Sequence, residues 1–375
     1  MKICLVTEFF STRAGGVRGG VEARAFQVAK FLAPKHEVTV LTSRERGQPE
    51  REEVEGFEVR RVGRERGYTQ RWDLGGRLGF LEGGRRVWER FEVVDGYSFV
   101  AYPLAWELHR KLGIPAVATY HDVWLGEWVK NVGPGGILGE LLERYVLSRR
   151  WAKFIAVSEY TKRKLVKGGV EEERIEVIPS GVDLQAIERV KAEKREEPTI
   201  CCISRLVEYK RVDDLLRALE LVKEEMPEVR CRIVGTGEEE GRLKELARRL
   251  GLEKEVEFLG FLPEYVEVVR VLKSSHVFCL PSTVEGLGLV LVEAMASGIP
   301  FVASDLPPLR EVSGGKGGLF FRPGDHRDLA EKLLLLLEDG GLRRKLAGEG
   351  RRKACEYDWK ILVKRIERVY EEVAG

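Results

Sequence analysis

Asparagine occurs once in this chain, at Asn131, and glutamine four times. Glutamate, arginine and lysine abound instead, a balance that points to a thermophilic source. No apolar run approaches the roughly 20 residues a membrane-crossing helix needs. The opening Met1-Lys2-Ile3-Cys4-Leu5-Val6 breaks at once at Thr7-Glu8, too short for a signal peptide, so a cytoplasmic protein is expected. An excess of charge of either sign is also missing. The 63 basic and 61 acidic residues leave a net charge of +2, which gives no reason to expect nucleic acid as a partner. The six cysteines have neither C-x-x-C nor metal-ligand spacing and read as core thiols. No D-x-D acidic pair is present, so neither a metal bridging phosphates nor another cofactor is expected.

What is there is a pattern of alternation. With 375 residues, 43% of them hydrophobic, the chain suits two domains with substantial cores. KICLVT reads as a buried strand. A Gly-rich stretch from Ala14 to Gly20 follows, then a helix with Ala25, Val28, Ala29 and Leu32 on one face, then the strand VTVLT. This β-loop-α-β unit opens a doubly wound sheet. FEVRRV, FEVVDGYS, PAVATYHD, WAKFIAVSE and IEVIPSG read as later strands, with a loop and helix over Tyr68–Arg86. Residues 186–199 are charged and poor in core residues, suggesting a linker or surface helix. A second β-α series starts at TICCISRL and runs through VRCRIVG, EVEFLG, HVFCLPS and PFVASD, with helices near 327–338 and 342–354. The final DWKILVKRIERVYEEV is an amphipathic helix.

Four short segments carry chemistry. In LPSTVEGLGLVLVEAMASG, Glu285 precedes a helix and Glu293 lies within it. Gly286 and Gly288 let the chain turn tightly, so the amides of Gly288, Leu289 and Val290 would open a helix as an anion site. In SRLVEYKR, Arg205 and Lys210 follow a strand at its carboxyl end, where open α/β sheets bind ligands, and both suit a diphosphate. Gly19 and Gly20 in GGVE would let backbone amides approach a phosphate, with Gly15-Gly16 as a competing pair. His121, in TYHD, ends an apolar strand. Each segment alone also fits an ordinary loop. Gly235-Thr236-Gly237 with Gly241 imitates a dinucleotide fingerprint, with Glu257 posing as the ribose acid. Its spacing is off, and Glu238, Glu239 and Glu240 would repel a pyrophosphate.

Taken in order, GGVE, KHEVTVLT, TYHD, AVSEYTKRKL, VIPSGVD, SRLVEYKRVDDLLRAL, RIVGTGEEEGRL and PSTVEGLGLVLVEAMASGIPFVASD resemble glycosyltransferase family 4 over nearly the whole chain. The resemblance implies an α/β GT-B fold, two Rossmann-like doubly wound domains facing across a cleft. Residues 1–182 with 358–375 would bind the acceptor, and residues 183–357 the nucleotide-sugar donor. It implies a retaining transferase with same-face attack and no metal. Arg205 and Lys210 would hold the diphosphate, Glu285 the donor sugar, and Glu293 the ribose. The Gly288, Leu289 and Val290 amides would meet the distal phosphate. Gly20, with Gly19, would close over the phosphates, and His121 would steady the sugar. Ser180 stands where the family has Asn, Leu287 where Phe is common, and the Arg-rich residues 60–90 carry no family signature. That last segment has two readings: a solvated basic face, or a patch that touches anionic head groups, with a lipid or lipid-linked acceptor and peripheral contact at the inner membrane surface. A sugar-nucleotide epimerase and a non-catalytic sugar-nucleotide-binding protein are the rival readings.

Overall fold

A computed structural model of the chain describes residues 1–12, 19–67 and 73–375. The Gly15-Gly16 pair and the start of the Tyr68–Arg86 stretch lie outside the described residues. Two compact units divide the chain: Met1–Ser180 with Trp359–Gly375, and Gly181–Asp358. In chain order the first unit contains β1 (Lys2–Val6), α1 (Gly20–Leu32), β2 (Glu37–Glu45), β3 (Arg51–Val54), β4 (Phe57–Arg66), α2 (Leu74–Arg85) and β5 (Val93–Gly96). It continues with α3 (Ala101–Leu112), β6 (Ala116–Tyr120), α4 (Trp128–Val132), α5 (Gly136–Leu147), β7 (Lys153–Ala156), α6 (Glu159–Lys167) and β8 (Ile175–Val177). The second unit contains α7 (Leu184–Arg189), β9 (Thr199–Ile203), α8 (Val212–Glu225), β10 (Arg230–Val234), α9 (Glu240–Arg249), β11 (Val256–Gly260) and α10 (Tyr265–Ser274). Then come β12 (Val277–Leu280), α11 (Leu289–Ala296), β13 (Phe301–Ser304), α12 (Pro307–Ser313), β14 (Gly318–Phe321), α13 (His326–Glu338) and α14 (Gly340–Ala354). The last helix, α15 (Trp359–Ala374), belongs to the first unit.

The first unit's sheet runs β3-β4-β2-β1-β5-β6-β7-β8 among the described residues. Every pairing is parallel except β3 with β4, an edge hairpin in which β4 contains the expected strand FEVRRV and β3, rich in Arg and Glu, was not expected. Ile3, Leu5, Val38 and Val40 point to the face that α1 and α15 cover. Cys4, Val6, Val94 and Ala118 point to the opposite face, beneath α3 and Trp151. Strands buried on both faces are unbroken apolar runs, which is why they were legible. The second unit's sheet runs β11-β10-β9-β12-β13-β14, all parallel. Its core centres on Ile200, Cys202, Ile233 and Cys279 under α8 and α13. Five cysteines are buried as expected, but Cys355 is exposed at the end of α14, where Arg351 carbonyl takes its thiol. The charged segment 186–199 is part helix, α7, and part irregular chain held to the second unit by Lys273 Nζ, which donates to the Ile187 and Val190 carbonyls at 2.7 Å each.

The Arg-rich stretch is not a free basic face. Arg66 and Arg77 both donate to Glu8 Oε1, at 3.1 and 2.9 Å. Arg61, with a fully buried side chain, meets Glu52 at 2.8 Å, and Arg60 meets Glu89 at 2.6 Å. Most of that charge is matched within the unit.

α15 closes the first unit over a polar core. Asp95, at the end of β5 and fully buried, accepts from Tyr370 hydroxyl at 2.6 Å and from Thr119 hydroxyl at 2.8 Å. Burial pushes its carboxyl up to about 6, against those hydrogen bonds and the charge of Arg24. Arg24 on α1 is itself fully buried, donates to Ser180 hydroxyl at 3.3 Å, and lies over the Trp359 ring at 5.7 Å. Trp359→Ala should therefore destabilise the protein by about 3–5 kcal/mol, the usual cost of emptying a buried aromatic site. Urea denaturation checks this, and a loss below about 1 kcal/mol would mean that α15 is only loosely docked.

Candidate active site and comparison with known proteins

β9 and β12 are neighbours in the second sheet, so the loops after them leave the same edge side by side. The first loop passes Ser204 to Arg211 with one 3-10 turn at Glu208–Lys210; the second passes Pro281 to Gly288. Thr283 joins them: its N–H donates to Tyr209 carbonyl at 2.8 Å and its hydroxyl to the same oxygen at 3.2 Å. Lys210 Nζ then donates to Glu285 Oε1 at 2.6 Å, with both side chains largely covered. Arg205 is exposed; its guanidinium donates to Tyr209 hydroxyl and sits 5.8 Å from the ring centre, with Lys210 Nζ at 5.5 Å from the same ring.

The second loop enters α11 through Gly288, which has a left-handed backbone (φ 81°). A Cβ there would meet Leu309 Cδ2 at 2.4 Å, so both the turn and the packing demand glycine. The first amides of a helix have no intrahelical partner, and those of Leu289 and Val290 open α11 beside Glu285. Glu293, one turn on, is mostly covered, and burial pushes its carboxyl up to about 7 despite a hydrogen bond from Tyr265. Ser282 and Ser304, at the carboxyl ends of β12 and β13, have buried hydroxyl oxygens without a hydrogen-bond partner among the described residues. Neither serine, nor Tyr209, nor Tyr265 stood out in the sequence. Tyr209 sits inside the SRLVEYKR segment and was overlooked beside its charged neighbours.

The apparent dinucleotide fingerprint serves these loops instead. A Cβ on Gly235 would lie 1.9 Å from Ser204 carbonyl oxygen, and one on Gly237 2.1 Å from Leu206 carbonyl oxygen. Leu206 N–H donates to Thr236 carbonyl at 2.9 Å, and Glu239 N–H to Leu206 carbonyl at 2.9 Å. The two glycines let the loop after β10 press against the loop that carries Arg205 and Lys210. Glu257, the apparent ribose acid, is paired with Arg232 at 2.9 Å.

In the first unit, Gly19 precedes α1 and Gly20 begins it. Among the described residues a Cβ on either would meet nothing within 4 Å. His121 follows β6 directly. Among the described residues its buried ring nitrogens have no hydrogen-bond partner, and burial, with the charge of Arg24, pushes it down to about 3. The imidazole is therefore neutral at physiological pH. Among the described residues no group of three His, Cys, Asp or Glu side chains is set to hold a metal ion.

Residues 18–186 match the family described as Glycosyltransferase Family 4, and residues 184–353 the one described as Glycosyl transferases group 1. A phosphatidyl-myo-inositol mannosyltransferase of Mycobacterium tuberculosis is 34% identical over 273 residues, 70% of this chain and 68% of that protein. The chain belongs to glycosyltransferase family 4. A GDP-mannose-dependent monoacylated alpha-(1-6)-phosphatidylinositol monomannoside mannosyltransferase of Corynebacterium glutamicum is 31% identical over 57% of this chain, a match that spans 61% of that relative's length. The solved sucrose-phosphate synthase of Thermosynechococcus elongatus superposes with a TM-score of 0.85 at 20% identity, covering 99% of this chain and 98% of that one. The fold is GT-B, and the family assigns the enzyme class of a glycosyltransferase.

Two outcomes follow from the geometry of this site. Glu293 binds its proton more tightly in the folded chain (about 7) than in the unfolded chain, where it titrates in the usual carboxylate range, so its ionisation lowers stability as pH rises through that window. Glu293→Gln should gain stability over the parent between pH 5 and pH 8, by up to about 3 kcal/mol. Equal gaps at both pH values in urea titrations would contradict a buried, reluctant carboxyl. Gly237→Ala should displace the loop of Arg205 and Lys210 and weaken nucleotide-sugar binding about tenfold or more in calorimetry, although Gly237 itself is only a packing residue. Unchanged affinity in a folded variant would remove that supporting role.

Proposed function

We propose that this enzyme transfers a sugar from a nucleotide-diphosphate sugar to an acceptor hydroxyl with retention of anomeric configuration and without a metal. The observation that carries this reading is the meeting of Lys210 with Glu285 beside the first turn of α11. Breaking the anomeric C–O bond leaves negative charge on the diphosphate and positive character on the sugar. A cation, a carboxylate and unpartnered helix amides at one sheet edge suit the two ends of that bond.

Arg205 and Lys210 take the diphosphate, and the Gly288, Leu289 and Val290 amides its distal phosphate. Lys210 is released from Glu285 as the phosphate arrives, which frees that carboxylate for hydroxyls of the donor sugar. Glu293 takes the ribose hydroxyls, and binding favours its ionised form. Residues 183–357 form the donor-binding domain. The backbone of Gly19 and Gly20, at the start of α1, helps to hold the donor phosphates. His121, neutral, acts as a hydrogen-bonding group for the transferred sugar rather than as a proton donor of fixed charge. In the same-face route the leaving phosphate takes the acceptor's proton as the new bond forms, so no covalent glycosyl-enzyme arises.

Residues 1–182 with 358–375 bind the acceptor. Two relatives are named for phosphatidylinositol-based lipids, which supports a lipid or lipid-linked acceptor met by a cytoplasmic enzyme at a membrane surface. No helix among the described residues is long and apolar enough to cross a membrane.

Thermal stabilisation by GDP-, UDP- and ADP-sugars, with NAD as control, identifies the donor. A shift with one nucleotide sugar, lost in Glu293→Ala, is expected. Arg205→Ala should then cost about 100–1000-fold in kcat, the usual penalty for losing one fixed donor to a developing charge. Proton NMR of the product should show the donor's anomeric configuration. An inverted product, or a sugar trapped on any carboxylate, would overturn the mechanism.

A further inference from the structure

The α4–α5 hairpin carries a second apolar face that none of the described residues covers. Gly139, Glu143, Val146 and Leu147 form the buried side of α5. At 3.6 residues per turn, Ile137, Leu141 and Tyr145 fall in one line on the opposite side, with Leu138 beside them. These four, with Val129 and Val132 of α4, are each 40–59% exposed. A surface helix normally has one apolar stripe, and a contiguous exposed patch of large aliphatic side chains marks a contact surface.

The exposure does not come from loose packing. Gly136 and Gly139 let α5 press on Trp128: a Cβ on either would lie 2.4 Å from a Trp128 atom. Glu143, buried, accepts from Trp128 Nε1 at 2.7 Å and from Trp124 N–H at 3.1 Å, and Glu140 accepts from Gly126 N–H at 2.8 Å. The hairpin is thus fastened to residues 124–128, which continue directly from His121. The patch is carried by the loop of a proposed active-site residue.

The charges around it have one sign left over. Glu127 is held by Lys164 at 3.1 Å, Glu140 by Arg144 at 2.6 Å, and Glu143 by the tryptophans. Lys130, Arg149 and Arg150 meet no carboxylate among the described residues, and the Arg149 guanidinium stacks over Tyr145 at 4.5 Å. An aliphatic ridge bordered by unmatched Lys and Arg, with an aromatic ring at its margin, complements an anionic bilayer. The apolar side chains enter the acyl region while the long cationic ones reach the head groups.

We infer that the outer face of α4 and α5, with Lys130, Arg149 and Arg150, docks this enzyme on anionic lipid bilayers. The inference deepens the reading of a membrane-borne acceptor and rests on it for the choice of occupant. It places the contact on different residues from the internally paired arginines of 60–90.

The test is sedimentation of the full-length protein with vesicles of phosphatidylcholine alone and of phosphatidylcholine containing phosphatidylglycerol, without donor or acceptor. Nucleotide-sugar binding by the same preparations is measured in parallel. Wild type should bind the anionic vesicles and release them at high salt. Leu138→Ser/Leu141→Ser and, separately, Lys130→Glu/Arg150→Glu should each bind about tenfold more weakly. Leu335→Ser, an exposed leucine of the other unit, should bind as wild type. Donor binding should be unchanged throughout, so a failure of docking is read apart from a failure of the transferase assignment. Equal vesicle binding by both double variants overturns the inference, as does indifference of wild type to anionic lipid. So does a wild-type dimer that Leu138→Ser/Leu141→Ser converts to monomer, which would make the face a subunit interface.

Discussion

A parallel strand cannot be followed by its neighbour through a tight turn; the chain must cross back over a face of the sheet before the next strand begins. Every strand in the second unit's sheet obeys this, and its loops at the carboxyl ends are left side by side without pairing partners of their own. The site is built from that surplus. Thr283 ties the loop after β12 to the loop after β9, and Gly235 and Gly237 press the loop after β10 against the same segment. Lys210, Glu285 and the start of α11 are brought together by loops whose positions the crossovers dictate.

The elements legible in the sequence were those whose signal is local. Buried parallel strands such as KICLVT and TICCI are unbroken apolar runs, and α15 repeats its apolar residues at helical spacing. FEVRRV was legible as β4, but its partner β3 was not, because an edge strand of Arg and Glu with one exposed face has the composition of a loop. α12 was hidden by two prolines, which suit the first turn of a helix as well as they suit a break. At the site, residue types at strand ends were readable, whereas partnerships were not. Lys210 and Glu285 are 75 positions apart, and no pattern in either segment announces a 2.6 Å contact. The same limit explains the false dinucleotide motif: glycines mark a close approach, and only coordinates tell whether a phosphate or another stretch of backbone approaches.

Charge shows the same division between composition and arrangement. The Arg-rich residues 60–90 suggested a basic surface, yet Arg60, Arg61, Arg66 and Arg77 each meet a carboxylate. Cations without a carboxylate among the described residues sit instead at Lys130 on α4 and at Arg149 and Arg150 just after α5. His121 likewise cannot be assigned a charge from its residue type. Its neutrality comes from burial and from Arg24, which is contributed by a helix nearly a hundred residues earlier.

The first unit is sewn from two ends of the chain, and this has a consequence for how the protein is made. When a ribosome has released Met1–Ser180, the groove that α15 will fill is still open. Asp95 then lacks Tyr370, and Arg24 lacks the ring of Trp359. The whole second unit emerges before Trp359 does, so it can fold while its predecessor waits. The newborn chain therefore passes through an interval with one finished half and one half held ajar, and its first strands mature only after its last residues arrive.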